Sequence, residues 1–491
     1  MPTERYDLIV VGSGFAGAFL LHEYLRHAPE RARVLLLERG QNTPHRQQVE
    51  QRRTPGPEAG SFVNRTSIGK RWRFSFGVGG SSQCWWACTP RMLPADFELS
   101  TRYGVGRDWP VSYDELEESY CRAEELMAVS GPPNDASPFA RSRPYPLPPH
   151  RLSAPDRILQ KAYPGQFFHQ PTARASRPVI PRGGTVPTRG VCCGSGVCTL
   201  CPVDAKFTVL NGLSSALGDP RVRVIEGAEV RTVSTRGDVA TGVTWRQGDD
   251  GKEHKADGDL VALAANGLFN PAILLRSGLD GPQVGRGLVE QASWNILVRL
   301  DGVDNFDGGT SITGHAYHLY DGDHRRDRAA ALLETWNVPQ LRPERGKWRQ
   351  LLRIKAIVED LRHDDNRVTL PPTAASGGPE NDRPIVTFER RSAYTQAGIE
   401  GVKRGLDKLL APLPVEGIRV DPTPAPTEAH ILGTTVMGDD PESSVVDRTC
   451  VHHRVRNLLV LGTSTFPTAA PANPTLTLCA HVLWSAGKLF A

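Results

Sequence analysis

The sequence contains no run of about 18 apolar residues, the least a membrane-crossing helix needs, and its mean hydropathy is −0.35. Net charge is also scarce. The 58 Lys and Arg against 54 Asp and Glu leave a formal +4 over 491 residues, which gives no electrostatic ground for nucleic-acid binding. No charged stretch and apolar core precede the first strand pattern after Met1-Pro-Thr-Glu-Arg-Tyr6. No secretory leader is therefore expected. The expectation is a cytoplasmic protein, or a periplasmic one that leaves by co-export with a partner subunit. No internal repeat is evident. The nine cysteines are an odd number, and four of them, at 192, 193, 198 and 201, fall within ten residues. That clustering favours a metal or redox site over a disulfide framework. Hydrophobic residues at 39% and charged residues at 23% are ordinary for a globular chain. The length allows two or three domains, or one large interleaved unit.

What is present begins at once. Residues 6–11 form an apolar strand pattern, and Gly12-Ser-Gly14-Phe15-Ala16-Gly17 follows as a turn into a helix. Val34 to Glu38 reads as a second parallel strand ending in an acid. A βαβ unit with an acid about 20 residues past the glycines is the fingerprint of a dinucleotide site. The glycines allow the tight turn, the approach of backbone to phosphate and the packing of helix on strand. The helix N-terminus faces the anion, and Glu38 accepts from ribose hydroxyls.

Residues 41–75 are polar and Arg-rich and read as a loop. Gly77-Val-Gly79-Gly80-Ser81-Ser-Gln-Cys84-Trp85 is a second glycine turn. The stretch Asp108 to Leu116 carries a cap signal before an amphipathic helix reaching about Met127. Residues 131–190 are rich in Pro and Arg with little periodicity, a surface excursion or a partner-docking segment. Strands are expected at 222–225, 243–245 and 259–265, and a helix at 271–277. Residues 292–425 mix strands and polar loops with Trp294, His315, Tyr317, His318, Tyr320 and Trp336, and read as the substrate-facing part. The aromatic and His-rich stretch 315–336 suits stacking on a sugar ring or a place in the core.

Near the C-terminus, His430 precedes a Gly-Thr turn and Asn473 precedes Pro474 and a helix start. Removing hydride from an alcohol carbon alone leaves a costly protonated carbonyl. A histidine that takes the hydroxyl proton avoids it, because its pKa lies near working pH. An asparagine amide can hold the same oxygen. On spacing alone, a capping or structural role for His430 stands level with this one.

Taken together, Gly12-Ser-Gly14-Phe-Ala-Gly17, the Gly79-Gly80-Ser-Ser turn, Asp108-Trp-Pro with Tyr113-Asp-Glu-Leu116, His430-x-x-Gly433-Thr434, Ser444-Val-Val-Asp447 and Asn473-Pro-Thr-Leu-Thr477 resemble the glucose–methanol–choline (GMC) oxidoreductase family nearly end to end. The resemblance implies an α/β protein with a Rossmann-like FAD-binding domain and an inserted α+β substrate-binding domain. It implies that His430 and Asn473 face the flavin. The implied cofactor contacts are Gly12, Gly14, Phe15, Ala16, Gly17, Glu38, Gly79, Gly80, Ser81, Cys84, Val230, Gly462, Thr463, Asn473 and Thr475. The family's Asp beside the ribityl chain is replaced here by Leu461-Gly462-Thr463-Ser464, so a backbone amide would have to serve. In the pyranose-oxidase-like branch, a His that can bind flavin covalently stands where Cys84 stands. Non-covalent flavin beside a small thiol is the expectation here.

The cluster Cys192-Cys193-Gly-Ser-Gly-Val-Cys198-Thr-Leu-Cys201-Pro202 offers soft thiolates on a glycine-rich loop, suited to iron–sulfur or zinc. Disulfides or a metal-free CxxC are the alternatives. The segment is similar to GMC sugar dehydrogenase large subunits that carry an iron–sulfur cluster, with a spacer one residue shorter. That likeness implies Cys192, Cys198 and Cys201 as ligands and Cys193 as a fourth ligand or a free thiol. It also implies a small subunit and a cytochrome or quinone acceptor. Cys450-Val-His452-His453 reads as a turn. The domains expected are FAD-binding parts at 1–130, 191–290 with the cysteine loop, and 426–491, an excursion at 131–190 and a substrate domain at 291–425. The reaction expected is oxidation of a sugar or glycoside hydroxyl by FAD with electrons leaving through the cluster. An oxygen-using oxidase without a cluster and a non-catalytic electron-transfer flavoprotein are the alternatives.

Overall fold

The apolar run at the start forms strand β1 (Arg5–Val11), buried on both faces over its last four residues. Helix α1 (Phe15–His27) and strand β2 (Val34–Leu37) complete the βαβ unit, and β1 and β2 pair in parallel. The computed structural model describes residues 4–56, 60–180, 188–248, 251–372 and 383–491. Residues 181–187 of the Pro/Arg-rich segment 131–190 lie outside the described residues.

The first sheet has seven strands. In order they are Val222–Ile225, β2, β1, Lys252–Leu263, Val239–Gln247 and Ala228–Arg236, with Leu458–Val460 pairing in parallel to Lys252–Leu263. The twelve-residue strand Lys252–Leu263 thus has β1 on one side and, on the other, an antiparallel neighbour followed by a parallel one. The second sheet is antiparallel with six strands: Val415–Val420, Ala292–Leu300, Leu351–Val358, Ala331–Trp336, Ile312–Leu319 and Phe167–His169. Helix Ala393–Leu410 lies on one of its faces. Period-2 alternation sends Leu352, Ile354, Ala356 and Val358 into a core with Ile399, Val402, Leu406 and Leu410 of that helix. Each such burial of a Leu, Ile or Val is worth about 1.5–3 kcal/mol. Intervening residues of the same strands, Glu334, Trp336 and Lys355, line a cavity.

Several elements differ from the sequence expectation. The segment 41–75 contains helix His45–Gln51 and strand Val63–Thr66, which pairs in parallel with Ile385–Phe388. The strand Val-Asn-Arg-Thr is polar, and only its distant partner makes it a strand. The segment 131–190 supplies helix Ala154–Ala162 and the edge strand Phe167–His169. The helix expected at 271–277 spans Asn266–Arg276 with Pro271 inside it. Proline has no N–H for the Gly267 carbonyl, and the Thr434 hydroxyl donates to that oxygen instead at 2.7 Å. Helix Tyr113–Met127 opens on Ser112, whose Oγ and backbone N–H exchange hydrogen bonds with Glu115. Helix Thr475–Phe490 packs against it and α1. Among the described residues no helix is long and apolar enough to cross a membrane.

Candidate active site

The turn after β1 leaves the first N–H groups of α1 open, because no side chain caps the helix. Two of its glycines do different work. A Cβ on Gly17 would stand 2.0 Å from the Gly12 carbonyl oxygen, so this position packs helix against turn. A Cβ on Gly14 would meet no atom nearer than 4.0 Å, so here the missing side chain leaves a cradle for a ligand. Glu38, 5% exposed, ties the turns together. It accepts from Ser13 N at 3.0 Å, Ser13 Oγ at 2.6 Å, Gly40 N at 3.0 Å and Gly77 N at 3.2 Å. Gly79 N in turn donates to Ser13 Oγ at 3.0 Å. Ser13 is therefore a joint between the two glycine turns that the motif reading passed over.

One cavity gathers most of the residues singled out in the sequence. Gly12, Gly14, Phe15, Ala16 and Glu38 line it from the first turn, and Gly80, Ser81 and Cys84 from the second. Val230 enters from a strand, and Gly462, Thr463 and Thr475 from the C-terminal part. His430 and Asn473 line the same cavity. Gly17 and Gly79 do not face it. Burial pushes the Cys84 thiol pKa up, so the sulfur stays protonated.

His430 is set by the acid before it in space. Glu290 is fully buried, and its Oε1 accepts from Thr427 Oγ1 at 3.1 Å, Glu428 N at 3.0 Å and His430 N at 2.9 Å. Lys70 forms a buried ion pair with the other oxygen. The imidazole is part-exposed and lines the cavity. Its Nδ1 stands 3.1 Å from Gln291 Oε1. Gln291 Nε2 donates to the carbonyls of Ala470 at 2.7 Å and Ala472 at 3.2 Å, which fixes the amide orientation. Its Oε1 must then accept, so His430 Nδ1 carries the proton and Nε2 keeps a free lone pair. Burial lowers the His430 pKa to about 4, Lys355 and Lys70 acting in the same sense against Glu428 and Glu334. The ring is neutral at neutral pH, with the Nε2 lone pair unprotonated. Asn473 Oδ1 is buried without a hydrogen-bond partner.

The GMC oxidoreductase family models match residues 6–293 and 363–481. The chain belongs to the GMC oxidoreductase family. It is an oxidoreductase acting on CH–OH groups, with FAD as its cofactor. The open space at Gly14, the uncapped α1 and the unpartnered Asn473 oxygen fit that cofactor. The fructose dehydrogenase large subunit of Gluconobacter japonicus is 27% identical over 99% of this chain and 98% of its own. The 6'''-hydroxyparomomycin C oxidase of Streptomyces lividus is 27% identical over 97% and 90%. Among solved structures, pyridoxine 4-oxidase from Mesorbium loti has a TM-score of 0.68 at 17% identity, covering 98% of this chain and 99% of that one.

In this GMC oxidoreductase the cysteine loop is not gathered around a centre. Among the described residues no group of three or more Cys, His, Asp or Glu side chains stands together to hold a metal. Each sulfur has its own neighbour. Cys192 Sγ is 3.5 Å from Thr310 Oγ1, Cys198 Sγ is 3.1 Å from Ser311 Oγ, and Cys201 Sγ accepts from Ala205 N at 3.3 Å. Cys193 is exposed. The surroundings are nonetheless cationic. Lys206 is buried and donates to the carbonyls of Gln83, Trp85, Cys198 and Thr199, which links the second glycine turn to the cysteine loop. Burial lowers its pKa to about 8, while Cys84, Cys198 and Cys201 pull it back up. Buried Arg174 approaches Cys198 Sγ at 4.0 Å. Cys450-Val-His452-His453 is a structural turn: His452 Nδ1 accepts from Arg454 N at 3.2 Å and Val455 N at 3.1 Å.

Of the aromatic stretch 315–336, Trp336 lines the cavity. His315, Tyr317 and Tyr320 do not. Tyr320 is fully buried and donates to Asp96 at 2.9 Å. Motif reading missed Glu334, Lys355 and Glu428, which bring charge to the cavity from the second sheet and the turn before His430. Their only sequence signal was strand alternation, which places Glu334 and Trp336 on one face.

Proposed function

We propose that this GMC oxidoreductase oxidises a hydroxyl of a sugar or glycoside to a carbonyl and passes the electrons to an acceptor outside the chain. The observation that carries the reading is His430, locked by Gln291 with Nε2 free, on a cavity that Asn473 also lines. When bound, FAD supplies the hydride acceptor. His430 takes the hydroxyl proton as the carbinol carbon loses hydride, so no protonated carbonyl forms. The Asn473 amide donates from Nδ2 to the reacting oxygen, whose own hydrogen is given to His430. The charged and aromatic side chains on the cavity support a polyhydroxylated substrate over an apolar one, and fructose dehydrogenase and 6'''-hydroxyparomomycin C oxidase are sugar- or aminoglycoside-directed by name.

In this reading Cys192, Cys198 and Cys201, with Cys193 as a further thiol, would hold an iron–sulfur cluster once the loop draws them together, and the cluster would supply one-electron transfer to a small-subunit, cytochrome or quinone partner. Four thiols in ten residues and the buried cations Lys206 and Arg174, which favour an anionic centre, support it. A second reading, oxidation by oxygen without a cluster, is favoured by the separate hydrogen-bonding partners of the thiols. An absorption spectrum of aerobically purified protein, with iron and sulfide assays, decides between them. We expect iron, sulfide and little peroxide. Cys198→Ser should leave flavin reduction intact and abolish reduction of a cytochrome or quinone-type acceptor, with retained FAD checked in the same sample. Iron-free protein that makes peroxide stoichiometrically would establish the oxidase instead.

A further inference from the structure

The wall of the cavity made by the six-stranded sheet carries a buried carboxylate whose protein partners leave one oxygen outside hydrogen-bond geometry. Glu334 is 2% exposed, lines the cavity, and its Oε1 has no hydrogen-bond partner. His315, opposite it in the register, stands at ion-pair distance, its Nε2 3.4 Å from that oxygen, but outside hydrogen-bond geometry. Lys355, opposite on the other side, is already engaged, donating to Glu428 at 2.6 Å, and Glu428 also takes the Ser293 hydroxyl. Glu334, Lys355 and Glu428 are all close enough for His430 to feel their charge. Two residues on, Trp336 packs against Trp86 with ring centroids 4.8 Å apart, and both line the cavity. A buried carboxylate oxygen left unpaired is costly. A ligand hydroxyl would fill it, and an indole surface beside it suits the C–H face of a sugar ring.

Resting on the sugar reading above, we infer that Glu334 is a specificity residue: it accepts a hydrogen bond from a second hydroxyl of the substrate while His430 and Asn473 hold the reacting one. Glu334 moves no proton. It selects a polyol over a simple alcohol, because an analogue lacking the second hydroxyl leaves the carboxylate unpaired. The variants are Glu334→Leu, which removes the acceptor, and Glu334→Gln, which keeps an acceptor oxygen in the same shape. Full-length, FAD-loaded proteins are mixed anaerobically with D-glucose, D-fructose or methyl β-D-glucopyranoside, and flavin reduction is followed. For the sugars that reduce the wild type, Glu334→Leu should raise the half-saturating concentration roughly 10–100-fold, with the limiting rate changed less than about threefold. Glu334→Gln should fall between. An unchanged half-saturating concentration with a lowered melting temperature would assign Glu334 to a purely structural pair with His315 and overturn the proposal. Failure of all three sugars to reduce the wild type would overturn the sugar reading and this assignment together.

Discussion

At the scale of single residues, the chemistry depends on which nitrogen of His430 holds a proton, and Gln291 decides that. Two backbone carbonyls pin the amide, the amide pins Nδ1–H, and Nε2 is left with a free lone pair, the base of the proposed reaction. His430→Ala should retain FAD and lose roughly 10²–10⁴-fold in flavin reduction by substrate, the usual span for a general base. Gln291→Leu should lose about 10-fold, the worth of one hydrogen bond that sets a tautomer. Asn473→Ala should lose less than His430→Ala, since it orients without taking a proton. The pKa of His430 is lowered to about 4, chiefly by burial, so the base is neutral above that value. The reduction rate in wild type should stay flat through neutral pH and decline only as pH falls toward about 4. A normal rate in His430→Ala, or an acid limb near neutrality in wild type, would reassign the base.

At the scale of elements, the glycine turn makes two predictions that separate folding from binding. Gly17→Ala puts a methyl group into the Gly12 carbonyl, backbone that cannot swing aside. It should destabilise by roughly 1–3 kcal/mol or more, seen as lost soluble yield and a lower melting temperature. Gly14→Ala meets only Gly80 Cα, at an ordinary 4.0 Å, and should leave the apoprotein's melting temperature nearly unchanged, while FAD content after gel filtration drops. If Gly14→Ala kept full FAD, the cradle would lie elsewhere. The elements that were legible beforehand are those whose signals are local. β1, α1 and β2 follow from an apolar run, three glycines and an acid, and helix Tyr113–Met127 from the Ser112–Glu115 box. The rest depends on partners far away in sequence. Strand Val63–Thr66 is polar and exists through Ile385–Phe388. The helix at Asn266 begins five residues before the proline that seemed to open it, because Thr434 supplies the hydrogen bond that Pro271 cannot. The same holds in the site. His430 and Asn473 stood in motifs, whereas Ser13, Gln291 and Glu334 matter through contacts that no spacing displays.

At the scale of the whole molecule, neutral buried histidines shape the response to acid. His150, His430, His452 and His481 all have pKa values lowered to about 4, burial being the first cause in each. The unfolded chain protonates its histidines near 6.5 and the folded one only near 4. Between those values the unfolded state binds more protons, so the stability these groups contribute is present above 6.5 and is lost as pH falls through 4. His481 also donates to the Arg448 carbonyl at 2.9 Å. His481→Gln keeps a donor but cannot ionise, so it should flatten the decline of melting temperature between pH 6.5 and 4 even where it lowers stability at pH 7.5. An unchanged slope would show that His481 is not part of the acid response.

The segments that finish the site come late in the chain. His430, the strand Leu458–Val460, Gly462, Asn473 and helix Thr475–Phe490 all close onto a cradle begun by residues 5–38. A ribosome makes these parts in order, so a nascent chain of 420 residues has the phosphate turn but neither the base nor the amide, and its first sheet lacks one parallel strand. In the proposed reaction, then, the base and the amide join the cradle only once the segment from His430 to Asn473 has been made.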